Sequence, residues 1–219
     1  MENKFNLTRE QNVFIAKRNI VDYIWKSANL EGIAVTYAET QTLYDGGVVN
    51  GLTVSEVIAI NNLKYAWQFI LENDNIEYDY KSMCEIHELV ADKLIYNPGL
   101  IRTTPVNIGG TNWKPQFPIE SQIKEELNSL LNQTLKSKTE IAIEIMLWIM
   151  RRQLFLDGNK RVAMLFANKI MIDNGCGIIT ISQKNQLIFY EKLIKFYETN
   201  DNKDLKEWIY NNCIDGINF

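Results

Sequence analysis

A single histidine, His87, is all that this chain of 219 residues contains. A zinc site built on imidazoles needs more than one, and any Ser-His-Asp or Cys-His arrangement would have to use His87. That residue falls in Met83–Leu89, where apolar residues recur on a helical period, so a structural or surface position suits it better than catalysis. Cysteine is also scarce. Cys84, Cys176 and Cys213 are isolated, odd in number and form no Cys-x-x-Cys pair. This excludes a disulfide framework and makes the cytoplasm the expected location. There is no basic excess: 23 Lys and Arg against 27 Asp and Glu leave a net charge of −4. A nucleic-acid partner is therefore not expected. The longest apolar run, Ile145–Met150, is far too short to cross a bilayer, and the polar start MENKFNLTREQ has no signal-peptide core, so no membrane association is expected either.

What is present reads as mainly α-helical. Thr8-x-x-Gln11, Thr36-x-x-Glu39, Thr53-x-x-Glu56 and Ser82-x-x-Glu85 match the capping box, in which two side chains reciprocally satisfy free helix-start amides. Stops follow at Gly32, Gly46-Gly47, Asn97-Pro98-Gly99 and Gly175. Helices are predicted over about 9–31, 37–44, 54–72, 82–96, 119–136, 140–154, 159–174, 184–198 and 203–213. Leu100–Phe117, with short alternating residues around Gly109-Gly110, reads as a small β-hairpin, and Ile178–Ile181 as a short strand. No fixed-period repeat is present, and 1–219 reads as one domain.

The stretch Ile141–Ile149 is apolar nearly all round, the mark of a helix buried at the centre of its domain. It runs into Gln153-Leu154-Phe155-Leu156-Asp157-Gly158-Asn159-Lys160-Arg161, after which an amphipathic helix is predicted. A tight Asp-Gly-Asn turn feeding a helix aims free backbone amides outward, and with the helix dipole these form an anion site. Lys160 and Arg161 add positive charge there, and an arginine grips phosphate with two parallel bonds. Asp157 fits beside such a site if a divalent cation bridges it to phosphate, as magnesium does. The loop chemistry alone is equally compatible with a solvated helix–helix turn.

The loop resembles the Fic family motif, His-x-Phe-x-Asp/Glu-Gly-Asn-Gly/Lys-Arg, matching at Phe155, Asp157, Gly158, Asn159, Lys160 and Arg161. Leu100–Gly110 is similar to that family's flap, and Ser27-x-x-x-Glu31-Gly32 to its inhibitory motif, Ser/Thr-x-x-x-Glu-Gly/Asn. The resemblance spans Ser27–Ile181. It implies a Fic-type helical bundle with a β-hairpin flap, divided into an inhibitory helix region (1–50), a core (51–181) and C-terminal helices (182–219). It also implies ATP with Mg²⁺ as ligands and AMP transfer to a hydroxyl side chain of a protein target. Asp157 would hold the metal, Gly158, Asn159 and Lys160 with their amides would cradle phosphate, and Arg161 would meet the terminal phosphates. Glu31, with Ser27 and Gly32, would occupy the place of those phosphates by pairing with Arg161. Ile108, Gly109 and Gly110 on the flap would dock the target by strand addition.

One position departs from the motif. Gln153 stands where the family has its catalytic histidine, and an amide has no usable pKa to act as base. Met164 occupies a position where many adenylyl-transferring members carry a second arginine, and Lys160 resembles the Doc-type branch, which transfers a phosphoryl group. Three readings stay open at this stage: a weakened or altered transferase, a silent nucleotide-binding regulator, and an interaction module using only scaffold and flap. The oligomeric state is not legible.

Overall fold

The computed structural model describes residues 1–74 and 76–217. Three helices begin where the capping boxes place them: α1 (Arg9–Arg18), α3 (Tyr37–Tyr44) and α4 (Val54–Glu72), each with both reciprocal bonds formed. The helix predicted over 9–31 is instead two. Asn19, with φ −109° and ψ 13° outside helical geometry, ends α1, and α2 (Ile20–Leu30) follows. The fourth capping box is displaced. Asp79 caps α5 (Tyr80–Ala91), and Ser82 serves as its reciprocal partner rather than as the cap. α5 also stops short of residue 96. Its terminal carbonyls are taken by side chains from elsewhere, Val90 O by Arg161 and Asp92 O by Asn62.

The remaining helices are α6 (Glu120–Leu131), α7 (Lys138–Arg152), α8 (Asn159–Asp173), α9 (Gln183–Thr199) and α10 (Lys203–Asn212). α7 and α8 pack on each other more extensively than any other pair, and α5, α4 and α1 close around α8. The apolar α7 is the buried helix that its sequence predicts. α8 departs from expectation, being buried on all sides from Val162 to Ile172. Its two interior polar residues are satisfied. Asn168 exchanges two bonds with the backbone of Ile179, while Lys169 bonds to Asn73 O and Asp173. Buried polar groups with partners disguise a central helix as an amphipathic one.

The fold class is as expected: mainly α with a small antiparallel sheet. The sheet, however, is not in the flap. It joins β1 (Ile178–Ile179) to β2 (Ile214–Asp215), with Ile178 opposite Asp215. Residues 101–119 form no strand. Pro105 and Pro115 lack amides for a ladder, and the carbonyls of Thr104 and Gln116 bond to the Arg102 guanidinium instead.

Candidate functional site

α7 ends at Gln153, whose backbone is left-handed (φ 46°, ψ 61°). For a residue with a side chain, this costs about 1 kcal/mol or more and persists only where the surroundings enforce it. Enforcement is visible on each side. Arg102 Nε donates to the Gln153 carbonyl at 2.7 Å, and the Gln153 side-chain amide donates to Met150 O at 2.5 Å. Gln153 Oε1 accepts from Asn159 at 3.2 Å. The side chain at the motif's first position is thus tied into the loop.

The loop itself closes around Asn159, whose side chain accepts from Phe155 N at 2.9 Å and donates to Phe155 O at 2.8 Å. Only the backbone amide of Asn159 remains available to a ligand. Phe155 is fully buried, the anchor its apolar ring suggests, and it stacks on the ring of His87 at 3.7 Å. His87 Nδ1 accepts from Gly99 N at 2.8 Å, so Nε2 carries the hydrogen and donates to Asp157 O at 3.0 Å. Burial pushes the imidazole pKa down to about 4, with the nearby Arg161 acting in the same direction. The sole histidine is therefore neutral and structural, and its support is directed at the loop.

Gly158 starts α8 with φ 77°, in the left-handed region that favours glycine. The first-turn amides of Asn159, Lys160 and Arg161 have no hydrogen-bond partner among the described residues. Arg161 lies 6% exposed beneath them. Its Nη1 donates to Val90 O at 3.0 Å and its Nη2 to Asp157 Oδ2 at 2.8 Å.

Glu31 approaches from the end of α2. Its carboxylate lies 3.5 Å from Arg161 Nε and 3.5 Å from Lys160 Nζ. The expected Glu31–Arg161 pair is present, but Lys160 shares it, and neither Glu31 Oε1 nor Arg161 Nε completes a hydrogen bond. Gly32 ends α2 with φ 83° and a Schellman pattern, Gly32 N to Asn29 O and Ile33 N to Ala28 O, which fixes where Glu31 emerges. The Ser27 side chain has no hydrogen-bond partner among the described residues; only its carbonyl accepts, from Glu31 N. On the far side, the Tyr190 hydroxyl of α9 donates to Leu30 O, holding the end of α2 against the cleft.

A cleft of 350 Å³ lies above the loop, with Glu31, Gln153, Asp157, Lys160, Ile108 and Tyr190 among its walls. Gly109 lines it beside Ile108, while Gly110 packs so closely on Ile194 that a Cβ would come to 2.9 Å. Arg161 faces a second hollow of 320 Å³, which shares Glu31 and Asp157 with the first. Asp157 is 58% exposed, and no group of three or more metal-capable side chains exists among the described residues. A half-exposed carboxylate held only by Arg161, beside an amide-lined anion site, suits magnesium held partly by phosphate oxygens, and does not suit an all-protein metal cage.

Residues 77–171 match the Fic/DOC family model. A curated relative, protein adenylyltransferase fic-1 of Caenorhabditis elegans, is 25% identical over 182 residues, covering 78% of this chain. The chain spans 35% of that relative's length. The solved structure of C. elegans Fic-1 (residues 134–508) superposes with a TM-score of 0.76 at 21% identity, covering 90% of this chain and 62% of that one. The BepC effector protein of Bartonella tribocorum, solved with bound AMPPNP, superposes with a TM-score of 0.54 at 18% identity, over 78% of this chain and 86% of that one. With the loop set between two buried helices, residues 77–171 of this chain match the Fic/DOC family domain in sequence, and the fold around them is similar to that of Fic proteins.

Proposed function

We propose that the protein binds ATP with Mg²⁺ in this cleft as a protein adenylyltransferase of the Fic type, restrained by Glu31 and slowed by Gln153. The observation that carries the reading is the position of Glu31. Its carboxylate lies between the cationic groups of Lys160 and Arg161, beside the unpartnered amides that open α8. A carboxylate so placed is the kind of group that a phosphate would displace. Asp157 would hold the metal, which when bound shields the phosphate charge. The amides of Gly158, Asn159 and Lys160 would cradle the phosphates, and Arg161 would face the terminal ones. The relative's name, protein adenylyltransferase, and the AMPPNP bound by the Bartonella protein support the choice of an adenine nucleotide. A hydroxyl-bearing protein target, met along the flap at Ile108–Gly110, and a cytoplasmic setting belong to the same proposal. Among the described residues no helix is long and apolar enough to cross a membrane.

Calorimetry with Mg-ATP tests this directly. Glu31→Gly should tighten binding severalfold, since it removes a carboxylate that pairs with Lys160 and Arg161 and would repel phosphate. Arg161→Ala in the same background should reverse the gain. No detectable ATP binding by a folded Glu31→Gly protein would remove the nucleotide reading.

A second reading has its own observation. The Gln153 amide is tied to Met150 O and Asn159, which suits a member that binds nucleotide as a signal without transferring it. Lys160, as in the Doc-type branch, makes phosphoryl transfer the third outcome. Parallel assays with α- and γ-labelled ATP separate the three.

A further inference from the structure

We infer that Arg102 is a positioning residue that locks the flap and the loop into one unit, and that it, rather than strand pairing, fixes the geometry at position 153. This deepens the function proposed above and rests on it for the catalytic consequence. The contact itself is independent of that reading.

Arg102 is 2% exposed yet has no carboxylate partner among the described residues. Burying a guanidinium without a counter-ion is costly unless its N–H groups are satisfied. Here three side-chain nitrogens find backbone carbonyls: Nε to Gln153 at 2.7 Å, Nη1 to Thr104 at 3.0 Å, and Nη2 to Gln116 at 2.6 Å. Its backbone amide adds a fourth bond, to Leu154 O at 2.9 Å. The guanidinium also lies over the ring of Phe117, 5.4 Å from its centroid.

The choice of carbonyls is informative. Thr104 and Gln116 stand at the two ends of the flap segment that lines the cleft at Val106–Gly109, so one planar group closes that segment into a ring. The third carbonyl belongs to Gln153 at the C-terminus of α7, where the helix dipole is negative and favours a cation. That is also the residue held at φ 46°. Strand pairing would ordinarily fix such a flap, and it is absent from residues 101–119. Lysine cannot substitute, since one ammonium cannot reach three carbonyls set in the plane of a guanidinium fork.

The test uses Arg102→Lys and Arg102→Met in the full chain. Amide hydrogen exchange should quicken at least tenfold at the hydrogen-bonded amides of residues 102, 153 and 155 in both variants, and proteolysis within 103–117 should quicken with it, while α1 to α4 and α10 keep their exchange rates. Unchanged exchange and proteolysis at these places, or an equal rise everywhere, would overturn the inference, the second outcome marking a merely stabilising residue. The catalytic consequence is read in the Gln153→His, Glu31→Gly background, using self-labelling by α-labelled ATP. Arg102→Lys should there lower the maximal labelling rate at least tenfold while changing half-saturation by ATP less than threefold. A rate equal to the background's, with a lowered melting temperature alone, would also count against positioning. If the background labels nothing, the proposed activity fails, and hydrogen exchange still decides the role of Arg102.

Discussion

Gln153→His combined with Glu31→Gly is expected to transfer label from α-labelled ATP to protein hydroxyls, by about 10²–10⁴ over the unaltered protein, the range that general-base help supplies. A histidine at this position inherits a prepared setting. The left-handed backbone and the Arg102 bond to its carbonyl stay as they are, and the cleft lies directly in front. The imidazole then replaces an amide already tied to Met150 and Asn159. Removing Glu31 is the second half of the change. With the carboxylate between Lys160 and Arg161, a nucleotide bound as proposed would have its terminal phosphates displaced, and misplacement alone costs about 10²-fold. Each single substitution should therefore label less than the pair. A double mutant that binds ATP tightly and labels nothing, even in cell lysate, would show that a further lesion exists. Met164, 6% exposed within the core rather than on the cleft wall, would then be the residue to examine.

Between pH 7.5 and pH 5, folding stability should fall by about 2 kcal/mol, and His87→Gln should flatten most of that slope. The sign follows from the direction of the shift. The folded imidazole has its pKa lowered to about 4 by burial, while the unfolded chain takes up a proton near 6.5. Stability is complete above about 6.5 and is lost as the pH falls toward 4. Protonation would set two donors against each other at Gly99 N and bring positive charge toward Arg161, with only the Asp157 carbonyl and carboxylate to offset it. The window is clean because the chain has one histidine. Glu140 acts lower. Burial raises its pKa, but Lys206 and the N-terminal ammonium overcome this and hold it at about 2. Its contribution is full above about 4.5 and is lost progressively as the pH falls from there through about 2. Urea unfolding curves at the two pH values measure the effect, and parallel curves for wild type and His87→Gln would contradict it.

The features legible in the sequence were those encoded within a few residues. Thr8, Thr36 and Thr53 announced their helices because a capping box needs only four positions. The Phe155–Arg161 loop was readable because turn, helix start and charges are contiguous. Long-range partnerships were not. Nothing near Asn19 advertised the break between α1 and α2, and α8 looked amphipathic because Asn168 and Lys169 find partners at Ile179 and Asn73. Arg102 and His87 went unassigned as site residues for the same reason, since both act on the loop from more than fifty positions away. Their one available signal was chemical: a lone histidine, and a cation in a stretch otherwise almost free of charge.

On the proposed function, the bond between Arg161 and Asp157 would make metal and phosphate binding interdependent. Each group is at present the other's partner, so the cation-seeking carboxylate and the anion-seeking guanidinium are mutually masked. An anion that draws Arg161 away leaves Asp157 with an unmatched negative charge, and a cation that draws Asp157 away leaves Arg161 correspondingly bare. Each event lowers the cost of the other, and by thermodynamic reciprocity the enhancement is equal in both directions. If the proposed function holds, the pair would act as a small AND gate for a metal and a polyphosphate, answering weakly to either alone.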